Sequence, residues 1–348
     1  MSKAKSSTIV SVQGLAAAGL VSSTEAAALV AVEKNFSTRL TPEVLGQMDS
    51  YAPQDPIFRQ YVPAMEELAF AADEISDPIG DMPHQKCKGI VHRYPDRLLL
   101  MPTHTCQVYC RFCFRRARVG QAEETLNRAE LDAAIAYIAS QPQVREVILS
   151  GGDPLVLSDR RIGDILRRLA AIAHIDVIRF HTRVPLVEPA RITADFLKLL
   201  RLRSAVYIVL HVNHVRELTK PVRASLARMA RAGIPLLSQT VLLKGVNDDA
   251  TILEELFRCL VANRVKPYYL HHLDKAQGTS HFRVPIEEGQ RIMRILRGRL
   301  SGLAQPTYVL DIPGGHGKVP IGPAYASGSA VDGYDIVDPQ DQSHPYHD

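Results

Sequence analysis

Residues 106–113 read Cys106-Gln-Val-Tyr-Cys110-Arg-Phe-Cys113. Three thiolates at spacings of four and three fit on one short loop. Such a loop can wrap one corner of a cubane iron–sulfur cluster and ligate three of its four irons, leaving the fourth open. A structural zinc site normally wants four closed ligands, and no second Cys-x-x-Cys pair is present to supply them. His104 could complete a zinc site locally, so zinc stays as the alternative. Arg111, Arg115 and Arg116 are interspersed, which argues against ordinary core cysteines. Cys87 and Cys259 stand alone and are expected to be structural. Five cysteines are an odd number for a disulfide framework, so a reducing, cytoplasmic setting is expected.

Directly before the loop runs Leu98–Met101, an apolar stretch of strand length. The same rhythm returns at Val147–Ser150, Val177–Phe180, Val206–Val212, Leu236–Leu243 and Tyr268–Leu270. Helical patterns near 127–140, 160–172, 194–201, 221–232, 250–263 and 286–299 separate these runs. Strand and helix in alternation predict an α/β fold with a parallel sheet. Six units are fewer than the eight of a closed barrel, so a partial (β/α)6 barrel is expected, with Tyr308–Leu310 as an edge strand. Ser150-Gly151-Gly152-Asp153, His181-Thr182-Arg183, His211, Gln239 and Asp274 all follow a strand. Turn and cap chemistry can explain any one of them. Together, at the C-terminal ends where α/β barrels build their sites, they favour a site.

Residues 1–85 read as a helical N-terminal region and linker. Ser23-Thr24 can cap an Ala-rich helix through Val32, Thr41 a second, and Ala64–Ile75 reads as a third. Asp77-Pro78, Gly80 and Pro83 form the linker. Residues 86–320 hold the barrel. Residues 321–348 carry five Asp and no Lys or Arg, and are expected to be extended or flexible. Hydrophobic residues at 46 % and charged residues at 22 % fit a globular protein. A net charge of +4 is too mild to argue for nucleic acid. Apolar runs are too short for a membrane span, and the basic Met1–Ser7 stretch lacks the apolar core of a secretory leader.

The second informative segment is Asp311-Ile-Pro-Gly-Gly-His-Gly-Lys318-Val-Pro. It is not a P-loop, because the GxxxxGK[ST] pattern is absent. Its glycines predict a mobile loop, which suits a lysine that exchanges a covalent bond with a substrate amine. An exposed loop lysine is the alternative.

The Cys106–Arg116 block after a first strand, with the Ser150–Pro154 turn after the second, resembles the radical S-adenosylmethionine (SAM) enzymes. From Cys87 to about Ile321 the chain closely resembles the lysine 2,3-aminomutases. The shared stretches are residues 92–97 (HRYPDR), 106–116, 239–248 (QTVLLKGVND), 267–283 and 306–320. The resemblance implies a 4Fe-4S cluster on Cys106, Cys110 and Cys113, with SAM on the open iron beside Ser150, Gly151, Gly152 and Asp153. It implies pyridoxal 5′-phosphate (PLP) on Lys318, with its phosphate held by Arg93 and Arg97. It implies Arg115 on the substrate carboxylate, and Asp274 and Asp311 on the side-chain amine of L-lysine. The implied reaction moves the α-amino group to the β-carbon through a 5′-deoxyadenosyl radical.

An external one-electron reductant of flavodoxin or ferredoxin type is implied as partner. Longer family members add a structural zinc at a subunit interface. The acidic, cysteine-free tail and Leu218 at the remaining ligand position predict none here, which weakens the inference of a homo-oligomer. A tyrosine near the substrate is His271 in this chain. Three other readings stay open: the same reaction supplying β-lysine for elongation factor P, an arginine substrate, and a non-catalytic metal-binding scaffold. A glutamate substrate would be repelled by both aspartates.

Overall fold

The computed structural model describes residues 7–49, 51–120, 122–330 and 332–348. Met1–Ser6, most of the stretch read for a leader, lies outside them. The chain opens with four short helices: α1 (Val12–Ala17), α2 (Ser23–Glu33), α3 (Pro42–Gln47) and α4 (Pro56–Tyr61). The cap of α2 is Ser22, one residue before the expected pair. Its hydroxyl accepts from the Glu25 N–H, and Glu25 accepts from the Ser22 N–H in return. Thr41 caps α3 as expected.

The third expected helix, Ala64–Ile75, does not form. Only a 3-10 turn over Met65–Leu68 is present. Two carboxylates in this segment serve tertiary partners instead. Glu67, fully buried, pairs with Arg111 and Arg116. Glu74 accepts from the N–H groups of Gly278 and Thr279. Those contacts pull the chain across the barrel mouth and outweigh local helix propensity.

One open sheet of ten strands follows in sequential order. β1 (Gln85–Cys87) and β2 (Ile90–Tyr94) form an antiparallel edge on β3 (Arg97–Thr103). β4 (Glu146–Gly151), β5 (Val177–Thr182), β6 (Ala205–His211), β7 (Leu236–Val241), β8 (Val265–His271) and β9 (Thr307–Ile312) continue it in parallel. β10 (Gly317–Pro320) returns antiparallel to β9. The outermost strands β1 and β10 are not paired to each other, so the barrel stays open. Tyr308 therefore belongs to an inner strand, with β10 as the true edge. The crossovers carry α5 (Arg128–Ala139), α6 (Asp159–Ala170), the short α7 (Val184–Val187) with α8 (Ala194–Leu199), α9 (Lys220–Arg231), α10 (Ala250–Ala262) and α11 (Ile286–Arg299).

Strand periodicity sorts the side chains. In β5, Ile178 and Phe180 are fully buried against the helices, while Arg179 and His181 face the interior of the half-barrel. Truncating Phe180 to Ala would cost about 3–5 kcal/mol. In β7, Leu237, Gln239 and Val241 face the same interior. The sheet thus has an apolar outer face and an inner face that mixes apolar with polar side chains. The C-terminal segment, expected to be flexible, forms an antiparallel meander of β11 (Ala326–Ser329), β12 (Gly333–Val337) and β13 (Ser343–Tyr346). Backbone pairing holds it, since most of its side chains are exposed. No helix among the described residues is long and apolar enough to cross a membrane.

Candidate active site

The inner face of the sheet encloses a cavity of about 890 Å³. The residues expected to hold the cluster, SAM, PLP and substrate all line it: Cys106, Cys110, Cys113, Arg93, Arg97, Arg115, Ser150, Gly151, Gly152, Asp153, Asp274, Asp311 and Lys318. His104, the alternative zinc ligand, does not. It is 1 % exposed, neither ring nitrogen has a hydrogen-bond partner, and burial drives its pKa down to about 4. Its 4.0 Å approach to Glu124 is therefore not an ion pair at neutral pH.

The cysteine loop leaves the end of β3 and is held there by backbone. Gly152 N–H donates to Thr103 O at 2.8 Å, and Asp153 N–H to Thr105 O at 2.9 Å. A Cβ on Gly152 would lie 2.3 Å from Thr105 O, so only glycine permits this approach. Asp153 then latches the neighbouring strand end. Its carboxylate accepts from Thr182 Oγ1 and from the N–H groups of Leu155, Arg183 and Val184. Both oxygens are thus committed to protein donors. Gly152 thus admits the cysteine loop, and the Asp153 carboxylate holds the end of β5.

All five cysteines are free thiols. Burial pushes the cluster thiols upward: Cys106 strongly, Cys113 as well, and Cys110 to about 11 even with the Arg183 guanidinium opposing it. Such thiols keep their protons until a metal's charge displaces them. Among the described residues no three His, Cys, Asp or Glu side chains converge on one metal ion. A cubane does not ask for that, because each of its cysteines binds a different iron.

At the other end of the cavity, Lys318 lies on β10 opposite Asp311 on β9. The expected mobile loop is a tight hairpin, turned by Gly314 and Gly315 at φ 84° and 85°. Lys318 is half-buried and has three polar partners. Its Nζ pairs with Asp311 Oδ2 and lies 3.2 Å from His271 Nδ1, and its N–H donates to Tyr94 Oη at 2.9 Å. Burial and Lys318 together lower the His271 pKa to about 4, so the imidazole is neutral and its 3.7 Å contact with Asp311 is not a salt bridge. Its Nε2 has no partner.

The two aspartates differ. Burial would raise the Asp311 pKa, but the His271 hydrogen bond and Lys318 hold it at about 2. Asp274 is pushed up to about 7, first by burial and then by the Asp311 charge, and its Oδ1 has no hydrogen-bond partner. The two are not equivalent halves of one carboxylate pair. Arg115 pairs with Asp81 Oδ2 at 2.8 Å and donates to Ser150 Oγ at 3.3 Å. Arg93 holds Ile79 O at 2.5 Å and the other Asp81 oxygen at 3.4 Å. Arg97 pairs with Asp96 at 2.8 Å and lies 3.8 Å over the Tyr94 ring. Arg93 and Arg97 flank one hairpin turn but share no partner. Asp81 was missed in the sequence, where it is indistinguishable from a linker turn residue. Arg183 was visible only as part of a strand-end motif.

Residues 100–256 match the Radical SAM superfamily, and residues 293–332 match the family described as Lysine-2,3-aminomutase. The L-lysine 2,3-aminomutase of Acetoanaerobium sticklandii is 43% identical over 82% of this chain and 69% of its own. That of Clostridium subterminale is 40% identical over 86% of this chain and 72% of its own. The glutamate 2,3-aminomutase of Clostridioides difficile is 37% identical over 86% of this chain and 71% of its own.

Proposed function

This chain belongs to the lysine 2,3-aminomutase family of radical SAM enzymes, and from that premise we propose that it moves the α-amino group of L-lysine to the β-carbon with the help of PLP. Membership in the superfamily implies a 4Fe-4S cluster, SAM and an external reductant. The observation that carries the lysine reading is the pairing of Lys318 and Asp311 beside an unpartnered Asp274, in the cavity that the three cysteines also line.

The residues fit the groups. Three thiols on one loop suit a cluster with an open iron. The volume, about 890 Å³, is at the top of the roughly 300–1,000 Å³ range for small-molecule sites. Lys318 is the amine on the wall, and Arg93 and Arg97 supply cationic donors for a phosphate. When bound, the cluster with SAM supplies a carbon-centred radical, and PLP supplies a ring that spreads unpaired spin. The protein's part is positioning and exclusion of water.

Arg115 presents two donors in a plane and exchanges Asp81 for a substrate carboxylate. His271 Nδ1, neutral and 3.2 Å away, accepts a hydrogen bond from Lys318 Nζ and helps to orient it. Once Lys318 Nζ is engaged elsewhere, Asp311 loses its resting cation and is free for another. A lysine side-chain ammonium is that cation, and it restores charge to Asp274 as it binds. A glutamate side chain would bring a third carboxylate into the same corner.

The test is anaerobic turnover by the reconstituted chain, with SAM, PLP and a chemical reductant, offered L-lysine, norleucine or glutamate. β-Lysine should form at least tenfold faster than product from either competitor. Comparable turnover of norleucine would sink the lysine reading and leave the radical SAM chemistry standing.

A further inference from the structure

The His181-Thr182-Arg183 motif at the end of β5 has no part in the reaction above. We infer that Arg183 is a positioning residue that sets the reduction potential of the cluster by hydrogen bonding to the sulfur of Cys110. Arg183 Nη1 lies 3.3 Å from Cys110 Sγ. The side chain is 6 % exposed, so this is not a surface arginine caught in passing. Its Nη2 donates to Gln60 Oε1 and Glu217 Oε2, each at 2.6 Å. Its guanidinium carbon stands 4.9 Å from the Tyr61 ring centre and 5.4 Å from that of Phe112. Asp153 fixes its backbone N–H at 2.7 Å. Glu217 is itself locked, accepting from the N–H groups of Asn213 at 2.8 Å and His214 at 2.9 Å. The cation is therefore held against the sulfur from three directions.

Reduction adds one electron from an external donor to the cluster and breaks no bond at the cysteine sulfurs. The added negative charge spreads onto those sulfurs. A fixed cation that donates to one of them stabilises the reduced form more than the oxidised one, which raises the potential. Hydrogen bonds to sulfur and local net charge are established determinants of cluster potential. Glu217 opposes the effect from the far side of the guanidinium. Arg183 touches the sulfur directly and Glu217 does not, so the net effect favours reduction.

The test is an EPR-monitored redox titration of the full chain with its cluster reconstituted. The double substitution Arg183→Gln with Glu217→Gln removes both charges and leaves no lone buried ion. It should lower the ratio of reduced to oxidised cluster at a fixed potential at least tenfold, which is 59 mV for one electron. Glu217→Gln alone should raise that ratio. A structural role would not produce shifts of opposite sign. Both variants within twofold of the parent at parental iron and sulfide content, or both shifted the same way, would overturn the inference. If the double variant holds no cluster, Glu217→Gln decides alone: a rise supports the inference, and no change or a fall overturns it. A parent chain that takes up no iron overturns this and the function above together, whereas unchanged potentials overturn this alone.

Discussion

The two ends of the cavity are built on opposite plans. Around the cysteine loop, backbone bonds from Gly152 and Asp153, the Arg183 hydrogen bonds and the buried Glu67 pairs tie the chain down at several points. Around Lys318, the contacts are ion pairs, and the proposed reaction requires their partners to exchange: Asp311 with Lys318, and Asp81 with Arg115 and Arg93. A cluster needs its ligands pre-placed, since each must meet a different iron. A site that swaps one amine and one carboxylate for another needs charges already paired but replaceable. Rigid backbone serves the first, and under the proposed function protein carboxylates hold the places of ligand groups in the second.

If that contrast is right, the largest effects belong to the rigid end. Cys106→Ala, Cys110→Ala or Cys113→Ala should abolish 5′-deoxyadenosine formation and lower iron content, while circular dichroism shows a folded barrel. Deoxyadenosine at the parental rate from the triple variant would break the assignment. Glu67→Gln should be nearly as severe for stability. Breaking a buried pair by removing one partner typically costs about 3–5 kcal/mol, and two arginines lose their partner here. A urea midpoint close to the parent's would show that the mouth of the barrel is not held by this clamp.

The exchangeable end should lose function rather than fold. Asp274→Asn and Asp311→Asn should each reduce kcat/KM for L-lysine at least tenfold, from a loss of about 2–5 kcal/mol per charged partner. PLP content should not change. A variant that keeps full kcat/KM would remove that aspartate from the amine site.

The same pair sharpens the contrast through pH. Asp274 has its folded pKa raised from 3.8 to about 7, so the folded state binds the extra proton between those values. Its contribution to stability is full below about pH 4 and is lost as pH rises through 7. Asp274 borders the cavity, so the cost is below the roughly 4 kcal/mol that a rise from 3.8 to about 7 implies. Asp311, held at about 2, works the other way: its contribution is present above about pH 4 and lost as pH falls through 2. Asp274→Asn should therefore flatten the decline of stability between pH 4 and 7. An unchanged slope in chemical denaturation would show that Asp274 is not proton-linked to folding. The smallest effect is expected far from both ends. Asp341 on the tail pairs with Arg294 at 3.4 Å in the open, and Asp341→Asn should change stability by less than about 1 kcal/mol. A larger loss would mean the meander supports the barrel.

The strand–helix rhythm, the partial barrel and most of the polar side chains that line it, though not Asp81, were legible in the residues alone. Cysteine spacing and strand-end polarity are local patterns, and the chemistry they imply survives whatever the chain does between them. Tertiary structure decided which of those residues are occupied and by whom. Ala64–Ile75 has helical composition, yet Glu67 and Glu74 are spent on groups brought near only by folding, 44 residues away at Arg111 and more than 200 away at Gly278 and Thr279. The glycines before Lys318 read as mobility, but strand pairing with Asp311 turned them into a hairpin. Asp274 and Asp311 carry the same carboxyl group and were expected to share one behaviour. The fold placed a lysine and a neutral histidine against one and neither against the other. Charge state depends on neighbours in space, which sequence order does not record.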